Sequence, residues 1–473
     1  MGKIVGNEWG ICLDFADYGL SDMIVDQNDL EIDDFPPDPR FSFLALSIAL
    51  VFLSHLIRLF HMRNCVLYFF VCLLLSSLLL SCVSSVNNEL QLSKAMLKNR
   101  LDDLSQLSIE RGQALPLDSL NIPRSLNSEG DLHGTKSRSW TSGFYPGTLW
   151  QLYGHSGRAE LMTLASQWTS FVRKEQFDTH THDLGFKIYC SFGQGQAYND
   201  DPVYSATILQ ASKTLIRRYN PKIGAIRSWD FNKDEWQFPV IIDNMMNLEM
   251  LFETAKVSGD SMYAEIARQH ALTTFHNHFR EDFSSFHVVS YDTLLGKPHI
   301  RQTHQGAADQ SAWARGQAWG LYGFTMAFRY TNDQRFLQHA QQIAAFMFEH
   351  PNMPADLIPY WDYDAPNIPH ALRDVSAATI AASALLELSE YSGASFGERY
   401  LGWADRILVS LQQPKYQSPK GPFILTHAAG HVPDGLEVDV PLVYADYYYV
   451  EALLRRLALF ETKDKPAIKQ SRF

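Results

Sequence analysis

Two aspartates stand where a carboxylate has no obvious solvent to face. Asp183 lies in THDLGFKIYC, just before an apolar run, and Asp243 lies in FPVIIDNMMNLEML, where an apolar helix begins. A buried carboxylate costs stability unless it is paired or functional. The two are separated by about the length of one helical hairpin, so both can face one cavity. There burial and a neighbouring carboxylate would both raise the pKa of either group. The bland alternative for Asp243 is a helix N-cap. Against that, Asn244 and Asn247 also break the apolar surface, and Asp243 and Asn247 share a helical face at i, i+4. Further on, HQGAADQSAWARGQAWGLYGF at 304–324 crowds Trp313, Arg315, Gln317 and Trp319 together. A guanidinium between two indoles suits a carboxylate on a stacked sugar ring, or else forms a surface cation–π cluster. SWTSGFYPGTLW at 139–150 adds Trp140 and Trp150; packing explains Trp150 better than Trp140. His180, His182 and Asp183 spell HTHD, but a lone His-x-His without a downstream companion is weak, so no metal and no cofactor is expected.

These residues need a rigid frame, and the pattern supplies a helical one. The 473-residue chain is 46% hydrophobic and only 19% charged, which excludes a disordered chain or a coiled coil. A net charge of -12 argues against general nucleic-acid binding. Aromatics make up 13%, enough for both a core and carbohydrate stacking. From about Leu90 the apolar spacing is helical. The segments 145–174, 247–279, 320–349 and 378–411 each read as an apolar helix, a turn and a second amphipathic helix. Tyr204 to Tyr219 reads as another first helix and Val443 to Leu459 as a last one, which makes six hairpins and leaves the completeness of the sixth open. The first helices are apolar on nearly all sides and must be buried all round. That predicts an all-α closed ring, an (α/α)6 barrel over 95–465, rather than an open solenoid. Long polar connections such as 221–237 and 411–439 are where a site is built.

The first ninety residues differ. Residues 1–40 are acidic, and 65–83 is strongly apolar after Met62 and Arg63. The run ends Leu-Leu-Ser-Cys at 79–82, the form of an export signal with Cys82 as a lipidated residue. A plain membrane anchor is the alternative. Residues 62–82 are thus expected to be a signal or anchor, 83–94 a linker, and 1–61 a doubtful extension from an upstream start codon. An exported, membrane-anchored lipoprotein facing a periplasm is the expected address. If Cys82 heads the mature chain, Cys190 is the one remaining cysteine, and no disulfide framework exists.

Six blocks appear in order: WTSGFYPG, HDLGF, DNMMNLEML, HQG with SAWARGQAWGLYGF, RDVSAATIAASALLEL and VPLVYADYYYVEALL. Across roughly 95–460 the chain resembles the glycoside hydrolase family 88 unsaturated glucuronyl hydrolases. The resemblance implies an (α/α)6 barrel acting on unsaturated uronate-containing oligosaccharides made by lyases. It implies Asp243 as general acid/base and Asp183 as its essential partner. It implies substrate contacts for Trp140, Gln305, Arg315 and Trp319, and for His287, whose motif SSFHVVSYD carries the weaker match. The implied reaction hydrates the C4=C5 double bond, with Arg315 answering the substrate carboxylate. A Ser-x-x-Ser-x-Lys segment carried by members that favour sulfated fragments is absent; LTHAAGHVPDGLEVD at 425–439 stands in that region. An unsaturated rhamnogalacturonyl hydrolase, or a non-catalytic glycan-binding surface lipoprotein, are the alternatives.

Overall fold

The computed structural model describes residues 92–463, together with a separate short hairpin, Val5–Asn7 paired with Gly10–Cys12. The expected extension, the Cys82 signal and most of the linker lie outside the described residues. No helix among the described residues is long and apolar enough to cross a membrane.

Twelve helical segments build the barrel. In chain order they are α1 (Lys94–Gln113), α2 (Phe144–Ser156), α3 (Ala159–Val172), α4 (Gly185–Gly193), α5 (Pro202–Leu215), α6 (Leu248–Ser258), α7 (Ser261–Asn277), α8 (Ala314–Thr331), α9 (Gln334–Glu349), α10 (Val375–Tyr391), α11 (Ala394–Leu411) and α12 (Val443–Lys463). The inner ring is α2, α4, α6, α8, α10 and α12, each packed on the next, with α12 returning to α2. Local chemistry sets the hairpins. Gly157, Gly259 and Asn332 end α2, α6 and α8 in the left-handed conformation, at φ of 67°, 73° and 53°. Ser93, Asp201, Asp260 and Asp333 then cap the outer helices α1, α5, α7 and α9.

Three features depart from the sequence reading. The sixth hairpin is complete, because the N-terminal α1 packs against α12 and closes the ring. Tyr204 to Tyr219 is an outer helix, not a first one; its inner partner is α4, a short π-helix that the helical period does not reveal. Finally, the inner helices are not uniformly apolar. Arg329 of α8 binds Glu249 at 2.8 Å and Glu387 at 2.7 Å, and Arg455 of α12 binds Glu387 at 2.6 Å. Tyr322 and Ser383 both donate to Glu451. These residues come from α6, α8, α10 and α12, and together they tie four inner helices into one polar cluster.

Small antiparallel sheets decorate the barrel. The one that matters most joins Pro239–Ile241, Val288–Tyr291 and Pro298–Gln302, with Ile241 opposite Val288. A second is the hairpin Ala428–His431 with Leu436–Val440.

Removing one charge from the Arg329 cluster leaves carboxylates buried without compensation, which typically costs about 3–5 kcal/mol. Arg329→Met is therefore expected to lower the midpoint of thermal unfolding markedly. A midpoint within about a degree of wild type would show that the cluster contributes little.

Candidate active site

Asp243 is placed by a sheet rather than by a cap. The strand 239–241 runs into a 3-10 turn, Ile242–Asn247, and the residue in the capping position is Ile241, without a side-chain cap bond. The N-cap alternative is therefore excluded. The same sheet continues as a hydrogen bond from Ile242 N to His287 O at 3.1 Å, which sets His287 beside Asp243. Because the segment is a 3-10 turn, Asn247 does not share a task with Asp243. Its Oδ1 accepts from Phe186 N at 3.0 Å and so ties the HDLGF block to the DNMMNL block. Gly185 makes this approach possible: a Cβ there would lie 2.6 Å from Asn247 Cα.

Both aspartates line one cleft of about 340 Å³. The Asp243 side chain is 11% exposed, and its Oδ2 has no hydrogen-bond partner. Burial pushes its pKa up to about 7, partly offset by the Arg315 guanidinium and further raised by the Asp183 charge. Asp183 is differently held. Thr181 Oγ1 donates to its Oδ2 at 2.6 Å, and His182 Nε2 lies 3.2 Å from its Oδ1. Burial holds the His182 imidazole below its usual pKa. The arrangement is one buried carboxyl with a raised pKa and a second carboxyl that accepts a hydrogen bond from Thr181. His180 turns away, exposed, toward Asp230, so HTHD does not converge on one point.

His287 has a fixed tautomer. Its Nδ1 accepts from the backbone N–H of His304 and of Gln305, both at 3.1 Å, so Nε2 carries the proton. That N–H faces Asp243 Oδ2 at 3.7 Å, too long for a hydrogen bond, and both atoms are otherwise unpartnered. Burial, with the neighbouring His304, pushes the His287 pKa well down, so the ring stays neutral.

The expected contact residues divide into two groups. Trp140 lines the cleft, half-buried against Phe186 and Tyr444. Gln305 lines it too, with Nε2 bonded to Gly430 O at 3.1 Å. Arg315 borders the cleft with its Nε unpartnered, while its terminal nitrogens hold neighbouring groups. They bond Asp374 at 3.1 Å, Gly430 O at 2.6 Å and Ala429 O. Its guanidinium lies between Trp313 and Tyr444, not between two indoles. Trp319 and His287 do not reach the cleft surface. Trp319 is fully buried between Phe186 and Tyr448. Both were expected to touch substrate; neither is among the residues that line the cleft, and His287 lies beside Asp243.

An aromatic wall that none of the quoted motifs marks also lines the cleft. Trp229 stacks on Phe231 at 4.7 Å and packs against Trp236 and His304, and His304 meets His431 at 4.7 Å. Its signal is WDFNKDEW at 229–236, an aromatic density unusual for a polar connection.

No protein-family profile matches the chain. Curated relatives do. The chain is 47% identical over 346 residues to an unsaturated glucuronyl hydrolase of Formosa agariphila, covering 72% of this chain and 86% of that protein. It is 33% identical to an unsaturated glucuronyl hydrolase of Bacillus sp. strain GL1, covering 67% and 85%. Among solved structures, an unsaturated glucuronyl hydrolase described as specific for heparin superposes with a TM-score of 0.75 at 44% identity, covering 78% of this chain and 99% of that one.

The raised pKa of Asp243 has a consequence for stability. The folded state holds a proton that the unfolded state releases near pH 4, so this group's contribution is fully present below that pH and is lost as pH rises through about 7. Asp243→Asn removes the titration. Its unfolding midpoint is expected to gain on wild type between pH 5 and pH 8, as followed by circular dichroism. A constant difference across that range would mean that Asp243 is not held protonated.

Proposed function

The chain belongs to the unsaturated glucuronyl hydrolases, glycoside hydrolases with an (α/α)6 barrel, and on that premise we propose that Asp243 and Asp183 carry its reaction. The substrate is an oligosaccharide with a 4,5-unsaturated uronic acid at its non-reducing end. The observation that carries the assignment is the Asp243 carboxyl, buried beside Asp183 at the cleft and protonated up to about pH 7.

Asp243 gives its proton to C4, and positive charge develops at C5 and the ring oxygen. Water adds at C5 and yields a proton to Asp183, which the Thr181 hydroxyl holds in place beside His182. The product at C5 is a hemiketal. It opens to a ketone, which leaves C1 as an open-chain hemiacetal that expels the rest of the oligosaccharide as an alcohol. One water is consumed. The anomeric carbon is not attacked, so the rule linking carboxylate spacing to retention or inversion does not govern this chemistry. Trp140 supports the ring, and the Trp229 and Phe231 wall offers a surface to the next sugar. Arg315 and Gln305 hold the 428–431 strand as a wall of the cleft.

The export reading rests on the sequence around Cys82. We place the enzyme on the outer side of a membrane, anchored through that residue, where lyase products arrive.

Turnover is followed by loss of the ultraviolet absorbance of the conjugated C4=C5 carboxylate in an unsaturated disaccharide. Asp243→Asn is expected to lose about 10²–10⁴ in kcat with its fold intact, and wild-type kcat to fall as pH rises through about 7. An active Asp243→Asn protein overturns the assignment. For the anchor, radiolabelled palmitate is expected in the wild-type protein and not in Cys82→Ala; an unlabelled wild type refutes lipidation.

A further inference from the structure

The tip of one hairpin carries an apolar pair that the barrel does not bury. The strands Val288–Tyr291 and Pro298–Gln302 are joined by a turn in which Leu294 and Leu295 are 79% and 68% exposed. Polar residues are the ordinary choice at such a turn. A single exposed leucine is common, but an adjacent pair at the apex of a turn is a concentrated apolar surface. The turn is also built so that the pair cannot fold back onto the protein. Asp292 Oδ1 accepts from Leu294 N and Leu295 N at 2.7 Å each, and Asp292 N donates to Lys297 O at 2.9 Å. Gly296 closes the turn at a φ of 71°, and its N–H donates to Asp292 O at 2.8 Å. From the neighbouring hairpin, Tyr219–Asn220 paired with Ala225–Ile226, Lys222 Nζ donates to Leu294 O.

The charge around the pair is mainly positive. Lys222 beside Leu294 and Lys297 just after the turn's glycine are both exposed, and Arg301 is exposed further along the same strand. Asp292 is the acid of the turn, and one of its oxygens is engaged by the two leucine amides. In a chain of net charge -12 this is a local reversal of sign. Two leucines at an apex with lysines set behind them match a lipid surface that carries anionic headgroups. The leucines enter the acyl boundary, and the lysines keep their ammonium groups at the depth of the phosphates.

We propose that the turn at 292–297 docks this protein on an anionic lipid surface, with Leu294 and Leu295 as the inserted pair and Lys222 and Lys297 as the headgroup contacts. The proposal draws neither on Cys82 nor on the roles given to Asp243 and Asp183. It does bear on the cleft. The strand behind the turn leads from Tyr291 to Val288, and the next residue, His287, lies beside Asp243. Tyr291 and His287 are about 13 Å apart along the strand. The docking turn and the wall behind the acid thus belong to one sheet, so docking fixes the height of the cleft above the lipid.

The ring closes within residues 90–473, a compact unit by itself, so that piece can be tested without the apolar run at 65–83. Co-sedimentation is measured with vesicles of phosphatidylcholine alone and of phosphatidylcholine mixed with phosphatidylglycerol. Wild type is expected to bind the mixed vesicles and to bind the neutral ones about 30-fold more weakly, the scale of two lysines at a charged surface. Replacing the pair, Leu294→Ser with Leu295→Ser, is expected to weaken binding to the mixed vesicles about 100-fold, the scale of burying two leucines part way. Lys297→Gln should weaken it about 5-fold. Both variants change exposed side chains, so each should unfold at the wild-type midpoint by circular dichroism. If wild type ignores the mixed vesicles, or if the double variant binds them as well as wild type does, the proposal is overturned. If the pair instead serves a second copy of this chain, wild type elutes as a dimer in size-exclusion chromatography, the double variant elutes as a monomer, and neither binds vesicles; that result overturns it too.

Discussion

A buried carboxyl with one oxygen left unpartnered is the constraint around which this cleft is arranged. Asp446 makes the contrast. It is as deeply buried as Asp243 and also pushed up to about 7, but its two oxygens accept from Ile424 N and Leu425 N at 2.9 Å each. Asp446 pins a crossing of the chain and does not line the cleft. Asp243 has an oxygen with no partner, faces the cleft and sits beside a second carboxylate. A raised pKa alone therefore does not set Asp243 apart; its unpartnered oxygen and its place on the cleft do.

Keeping such a group in place requires rigidity that it does not itself supply. The 3-10 turn bearing Asp243 is held at its start by the sheet through Ile242 and His287, and at its end by Asn247 on Phe186. Asn244 adds a bond to Ile226 O at 2.8 Å. Away from this turn, Arg329 and Arg455 lock the inner helices with geometry that a fluid apolar contact lacks. A site built on packed helices and short strands holds its groups more closely than one built on loops.

The residues behind Asp243 are neutral or aromatic for a reason. His287 with its tautomer fixed by two backbone donors presents an N–H toward Asp243 and no positive charge. A cationic imidazole there would favour the ionised carboxylate and lower the fraction of acid available near neutrality. The Trp319 indole is equally without a partner of its own and modestly favours the charged form. Arg315 is the positive charge that pulls the Asp243 pKa back down, and it is itself paired with Asp374.

Local patterns carried a large part of this protein. The helical period gave the hairpins at 145–174, 247–279, 320–349 and 378–411. Gly157, Gly259 and Asn332 marked their turns, because left-handed caps favour those residues. The two aspartates were legible because a carboxylate on an apolar stretch needs a reason. What escaped depends on contacts between distant parts of the chain. Ring closure joins α1 to α12 across nearly the whole barrel sequence. The Glu249, Arg329, Glu387 and Arg455 cluster looked like scattered polar residues until four helices converged. His287 and Trp319 lie in the blocks that carry the site, but only packing decides that neither reaches the surface of the cleft. The Arg124 and Glu437 pair spans 313 positions. No periodicity encodes such a meeting, because a side chain's partner is set by the path of the backbone, and that path exists only once the ring has closed.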